Sequence, residues 1–97
     1  MIQHSVIFNL NYTPDSPQGY AFFDAAKKLA EIPGVEQFSC LRQTNPKNRF
    51  AFGLSMVFAS QALYDQYNQH PLHQTFIEQH WIKEVSEFME IDFQPMH

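Results

Sequence analysis

The chain has one cysteine, Cys40, in 97 residues, so no disulfide can form within it. Basic residues are also scarce: six Lys and Arg stand against ten Asp and Glu, a formal charge of -4, and they form no run. A nucleic-acid surface needs a concentrated positive field to displace phosphate counter-ions, so DNA and RNA are not expected partners. No window approaches the roughly 20 apolar residues of a membrane-spanning helix, and no membrane association is expected. A charged segment followed by an apolar signal core is absent too, because the Met1 end reads directly into a strand. Cytoplasmic residence is the simplest expectation.

What is present is apolar material. Hydrophobic residues make up 44% of the chain and aromatics 15%, with ten Phe, enough for one core and a surplus for a pocket or a subunit interface. The length fits one domain over residues 1–97, able to fold without metal or disulfide staples.

Period-2 alternation marks a strand from Ile2 to Tyr12, with Ile2, Val6, Phe8, Leu10 and Tyr12 on one face. His4 shares that face by parity, so its imidazole should point inward with Val6 and Phe8. Pro14, Asp15, Ser16, Pro17 and Gly19 mark a loop. Phe22, Phe23, Ala26, Leu29 and Ala30 then follow the spacing of one helical face between about Gln18 and Ile32, and Pro33-Gly34 ends that helix. Val35 to Thr44 reads as a weaker strand, turned by Asn45-Pro46-Lys47-Asn48 into a clearer one. In the latter, Phe50, Phe52, Leu54, Met56 and Phe58 oppose a face of small residues, Ala51, Gly53 and Ser55, with Val57; small residues there invite close packing by another sheet.

Ser60 is a good N-cap for a short helix to about Gln69, with Leu63 and Tyr67 on one face and Tyr64 joining from the side. Pro71 suits the first turn of a further helix, whose apolar stripe is Leu72, Phe76, Ile77, His80 and Trp81, with His73 on it. Glu87 to Phe93 forms the last strand, its Phe88, Glu90 and Asp92 opposed to Met89, Ile91 and Phe93. The order strand, helix, strand, strand, helix pair, strand is the split βαβ arrangement: an α+β, ferredoxin-like fold with an antiparallel four-stranded sheet and helices on one face.

The densest acid/base grouping is Tyr67-Asn68-Gln69-His70-Pro71-Leu72-His73, a phenol and two imidazoles compacted around a helix break. A His titrates near neutral pH, and Tyr and His can each donate or accept a proton. His70, directly before Pro71, reads as a turn or cap residue. His4, His70, His73 and Glu90 are available metal ligands, but no second i, i+4 pair or Cys completes a zinc pattern, so no metal is expected. Cys40 has no neighbouring base in sequence and reads as a small buried hydrophobe.

His4-Ser5-Val6-Ile7-Phe8, Ile32-Pro33-Gly34-Val35, Phe58 at the end of the third strand and Tyr67-x-x-His70-Pro71-x-His73 together resemble the stress-responsive dimeric α/β-barrel (Dabb) domain family. The resemblance spans nearly the whole chain. It implies a homodimer in which two ferredoxin-like subunits pack sheet to sheet into a barrel, each with a pocket between its sheet and helices. Members similar to plant polyketide cyclases use a pocket Tyr and His for cofactor-free acid/base chemistry. Carried over by motif, these are Tyr67 and His73, with His4 entering from the first strand. Phe52 departs from that pattern, which has a further His there, and Glu90 stands where an apolar pocket residue is expected.

The leading expectation is therefore a Dabb-type dimer, of unassigned or stress-related role, binding a small apolar or aromatic molecule in a pocket lined by His4, Val6, Phe8, Phe22, Phe23, Tyr67 and His73. One alternative is a cofactor-free cyclase, lyase or isomerase in which His73 removes a proton next to a carbonyl and the Tyr67 hydroxyl orients it or stabilises the oxyanion. The other is a dimerisation module with a filled interior, where Tyr67 and His73 merely tie two helices together.

Overall fold

A computed structural model of the protein describes residues 1–13 and 15–97; Pro14, read above as part of a loop, lies outside them. Strand β1 (Ile2–Leu10) is followed by helix α1 (Pro17–Lys27), which tightens into a 3-10 turn (Lys28–Glu31), and by the hairpin strands β2 (Glu36–Arg42) and β3 (Phe52–Phe58). Helix α2 (Gln61–Gln69) leads into α3 (Pro71–Phe76), which runs on through a π-helical segment (Ile77–Trp81) and a last helical turn (Ile82–Glu84) into β4 (Val85–Phe93). The sheet order is β2-β3-β1-β4 and every pairing is antiparallel, as expected for the ferredoxin-like fold.

Local chemistry sets the helix boundaries. The Ser16 hydroxyl accepts the Gly19 N–H at 3.0 Å and Pro17 occupies the first turn of α1. Ser60 caps α2 by accepting the Leu63 N–H at 3.3 Å. Pro71 pushes His70 into an extended conformation (φ -68, ψ 139), which stops α2, and the His70 Nδ1 accepts the Leu72 N–H at 3.1 Å to start α3. His70 is thus a cap. Gly34, at φ 93, makes the left-handed turn into β2, and a Cβ there would sit 3.2 Å from the Leu63 side chain.

The poor alternation of β2 has a cause in the backbone. Glu36 pairs with Val57 and Ser39 with Ser55, so β2 spends one extra residue, and Gln37 lies at φ 52 within this bulge. Beyond it Cys40 faces Leu54 on the inner side and Leu41 faces Gly53 on the outer.

The helices cover one face of the sheet. Phe8, Phe22 and Phe58 are wholly buried there, with Met56, Leu29 and Phe76 around them. Phe8 packs against Phe22, Phe52 and Trp81 at centroid separations of 5.6, 5.8 and 5.0 Å. In α2 the buried pair is Tyr64 and Tyr67, and Leu63 is half-buried, so Tyr64 is a full member of the inner face. The helical wall is clasped to the end of β1: the Asn11 N–H donates to the Glu84 carbonyl at 2.9 Å, and the Glu84 carboxylate accepts from the Tyr12 hydroxyl and, at 2.8 Å, from His80 Nδ1.

Among the described residues no helix covers the other face. It presents Ile7, Val57 and Ile91, half-buried, beside the exposed Leu41, Met89 and Phe93, with Gly53, Ser5 and Ser55 between them. Among the described residues no helix is long and apolar enough to cross a membrane.

Candidate functional site

Between the sheet and the segment from α2 to the start of β4 lies a cavity of about 410 Å³. Its floor is the inner face of the sheet, through Val6, Leu54 and Met56, and its outer wall is the π-helical stretch with Ile77 and Trp81. His4, Tyr67 and His73 bring polar atoms to this otherwise apolar space, and Glu90 and Phe88 reach it from edge strand β4.

His4 arrives because β1 alternates, its parity sending the side chain inward with Val6 and Phe8. Cross-strand pairing then sets Asp92 directly opposite it. The His4 Nδ1 lies 2.6 Å from Asp92 Oδ1 and 2.8 Å from the Tyr64 hydroxyl, and that hydroxyl is 3.1 and 3.0 Å from the two Asp92 oxygens. One assignment satisfies this geometry: Nδ1–H and the Tyr64 O–H both donate to Asp92. Burial, followed by the hydrogen bond to Asp92, pushes the Tyr64 hydroxyl well above the usual phenol range, so it remains a donor.

Tyr67 and His73 meet across the Pro71 break, rings tilted by 57° with centroids 4.6 Å apart. No hydrogen bond joins them among the described residues, and His73 Nδ1 is buried without a partner. Burial lowers the His73 pKa below the ordinary imidazole value; the Asn68 backbone opposes the shift and nearby His4 adds to it. Burial raises the Tyr67 hydroxyl, and the neighbouring Tyr64 and Glu90 raise it further. At neutral pH the pair is therefore a protonated phenol beside an uncharged imidazole, a donor and an acceptor.

Of the residues expected from sequence to line a pocket, the structure brings His4, Val6, Tyr67 and His73 to the cavity. Phe8 and Phe22 are not in its wall: both are wholly buried within the aromatic core, because the rings of α1 interleave with β1 and leave no space between them. Phe23 faces a separate shallow depression with Cys40 and Phe52. Asp92 and Tyr64 were not anticipated as partners of His4. The parity of Asp92 with Glu90, and the position of Tyr64 one helical turn before Tyr67, are the sequence signals that point to them. Among the described residues no three His, Cys, Asp or Glu side chains gather as a metal-ligand set.

An antiparallel β2-β3-β1-β4 sheet with helices on one face and a cavity beneath them defines a ferredoxin-like α+β subunit. Within that class the chain belongs to the Dabb family: the Stress Responsive A/B Barrel Domain matches residues 2–95. It is similar to a Dabb family protein of ferredoxin-like fold from Mesorhizobium loti, at 44% identity and TM-score 0.95, covering 99% of this chain and 97% of that one. A dimeric ferredoxin-like protein of unknown function from Thermobifida fusca matches at 19% identity and TM-score 0.80, over 97% of this chain and 90% of that one. The hydroxynitrile lyase of Passiflora edulis matches at 14% identity and TM-score 0.83, over 99% and 94%. These last two share the fold, and their identities carry no more than that. No curated protein matches the chain in sequence.

Proposed function

We propose that this Dabb protein is a homodimeric barrel that binds a small apolar or aromatic molecule in the cavity between its sheet and helices. The observation that carries the reading is the cavity itself: about 410 Å³, with apolar walls and polar atoms from His4, Tyr67 and His73, which is the usual make-up of a small-molecule site. A pure dimerisation module has no need of such a space. Dimerisation is supported by the uncovered outer face, whose Ile7, Val57, Ile91, Met89 and Phe93 form a patch that a second sheet can bury, and by the dimeric ferredoxin-like relatives.

The test is calorimetric titration with a neutral aromatic probe, 2-phenylethanol. Binding of one probe per chain is expected, weakened in Val85→Phe, where the half-buried Val85 of the cavity wall is enlarged. Absence of binding by the wild type, or equal binding by a folded Val85→Phe, refutes the reading.

A second reading, cofactor-free acid/base catalysis of the lyase or isomerase type, is favoured by the protonation states of the pair. His73, held neutral by burial, can take a proton next to a substrate carbonyl, and Tyr67, held protonated, can donate to the developing oxyanion. The hydroxynitrile lyase on the same fold shows that lyase chemistry can occupy such a scaffold. With any substrate found, His73→Ala should abolish the acidic limb of the pH–rate profile; an unchanged profile eliminates His73 as the base.

A further inference from the structure

The cavity carries one formal charge on its lining, and among the described residues no cationic side chain pairs with it. Glu90 lies on β4 opposite Val6, so its side chain shares the inner face of the sheet with the cavity floor. Among the described residues no Lys or Arg lines the space. The other acids of β4 have partners: Glu87 pairs with Arg49 at 3.2 Å, and Asp92 accepts from His4 and Tyr64. Glu90 is itself exposed, so water reaches it, but among the described residues it makes no ion pair and no side-chain hydrogen bond, and apolar and aromatic side chains border it on the inside. Neither imidazole is free to pair with it. Burial lowers the His73 pKa and disfavours its charged form, and His4 already faces the Asp92 carboxylate at 2.6 Å. Glu90 also projects its field onto the Tyr67 hydroxyl in the cavity lining and onto Tyr64 behind it, and disfavours ionisation of both. The same space is bordered by the rings of Tyr67, Trp81 and Phe88, the last two meeting edge to face at 5.4 Å.

We propose that the cavity selects a ligand that joins an apolar or aromatic body to a cationic nitrogen, with the Glu90 carboxylate as its counter-ion. This rests on the reading that the cavity binds a small molecule, and deepens it by naming the ligand class. An ammonium seated beside Glu90 gains an ion pair, and the neighbouring ring faces attract it through their quadrupoles. A carboxylate ligand meets like charge there with no cation to offset it. An aliphatic or aromatic amine therefore fits, and an aromatic acid does not.

The experiment is titration of the intact protein at pH 7 with three probes of like size: 2-phenylethylamine, 2-phenylethanol and 3-phenylpropanoate. The amine is expected to bind about tenfold more tightly than the alcohol, the sum of a partly exposed ion pair and a cation–π contact, and the acid more weakly than either. That ratio should fall towards one in Glu90→Gln, and should shrink in the wild type as salt is raised. If the alcohol binds but the amine binds no better, or if the preference survives in Glu90→Gln, the cationic ligand is refuted while the cavity reading stands. If none of the three binds, the cavity reading fails and this inference with it. A Glu90→Gln protein that loses dimer stability while keeping its probe ratios places the partner of Glu90 on the second subunit, and also overturns the proposal.

Discussion

Replacing Asp92 by alanine removes an acceptor that two buried donors share. The His4 side chain is 7% exposed and its Nδ1 stands 2.6 Å from Asp92, while the Tyr64 hydroxyl lies 3.0 Å from the second oxygen. A hydrogen bond to a charged group contributes about 1.5–3 kcal/mol, and stranding a buried donor costs about 1–3 kcal/mol. The Asp92 side chain is 44% exposed, so water can enter the vacated place and recover part of this. Asp92→Ala is therefore expected to cost about 2 kcal/mol, and Asp92→Asn, which keeps one acceptor, about 1 kcal/mol. At about 4–8 °C per kcal/mol for a domain of this size, the alanine variant should melt about 10 °C below the wild type. The assay is urea and thermal denaturation at one fixed protein concentration, since assembly makes apparent stability concentration-dependent. Tyr64→Phe combined with Asp92→Ala should cost less than the sum of the two, because both remove the same bond. Asp92→Ala within about 0.3 kcal/mol of the wild type, or full additivity in the double variant, would show that the trio is an incidental surface contact.

Three further outcomes are expected. Because burial depresses the folded-state pKa of His73, the unfolded chain binds its proton more readily; stability from this group is complete above the unfolded value of about 6.5 and declines as pH falls through it, a slope that His73→Gln should flatten in denaturation curves between pH 5 and 8. Phe58→Ala empties a wholly buried position packed against Tyr64 and Tyr67, and should cost about 3–5 kcal/mol by urea unfolding. Ile91→Lys puts a charge in the middle of the uncovered sheet face and should convert a dimer to a monomer by light scattering, leaving far-UV circular dichroism unchanged; a persistent dimer places the interface elsewhere.

The alternation of Ile2, His4, Val6 and Phe8 was enough to put His4 on the inner face, because a strand has only two faces and the apolar residues choose between them. Ser60 and His70-Pro71 announced the two helix starts for equally local reasons, a side-chain acceptor and a missing N–H. Where the local rule was interrupted the pattern blurred: the bulge at Gln37 spoiled the period of β2, and the last turn of α1 tightened into a 3-10 turn that apolar spacing does not reveal.

Local sequence by itself determined the elements, their order, the inward direction of His4 and the compact Tyr67–His73 grouping, since each depends on residues within a few positions of one another. Tertiary structure alone decided that Asp92, 88 residues away, anchors His4, that Tyr64 joins them, and that the rings of Phe8 and Phe22 close upon each other while a cavity opens beside Met56 and Trp81. Those outcomes depend on cross-strand register and on how side-chain volumes fill the space between layers. Both are properties of chain segments far apart in sequence, which no local period encodes.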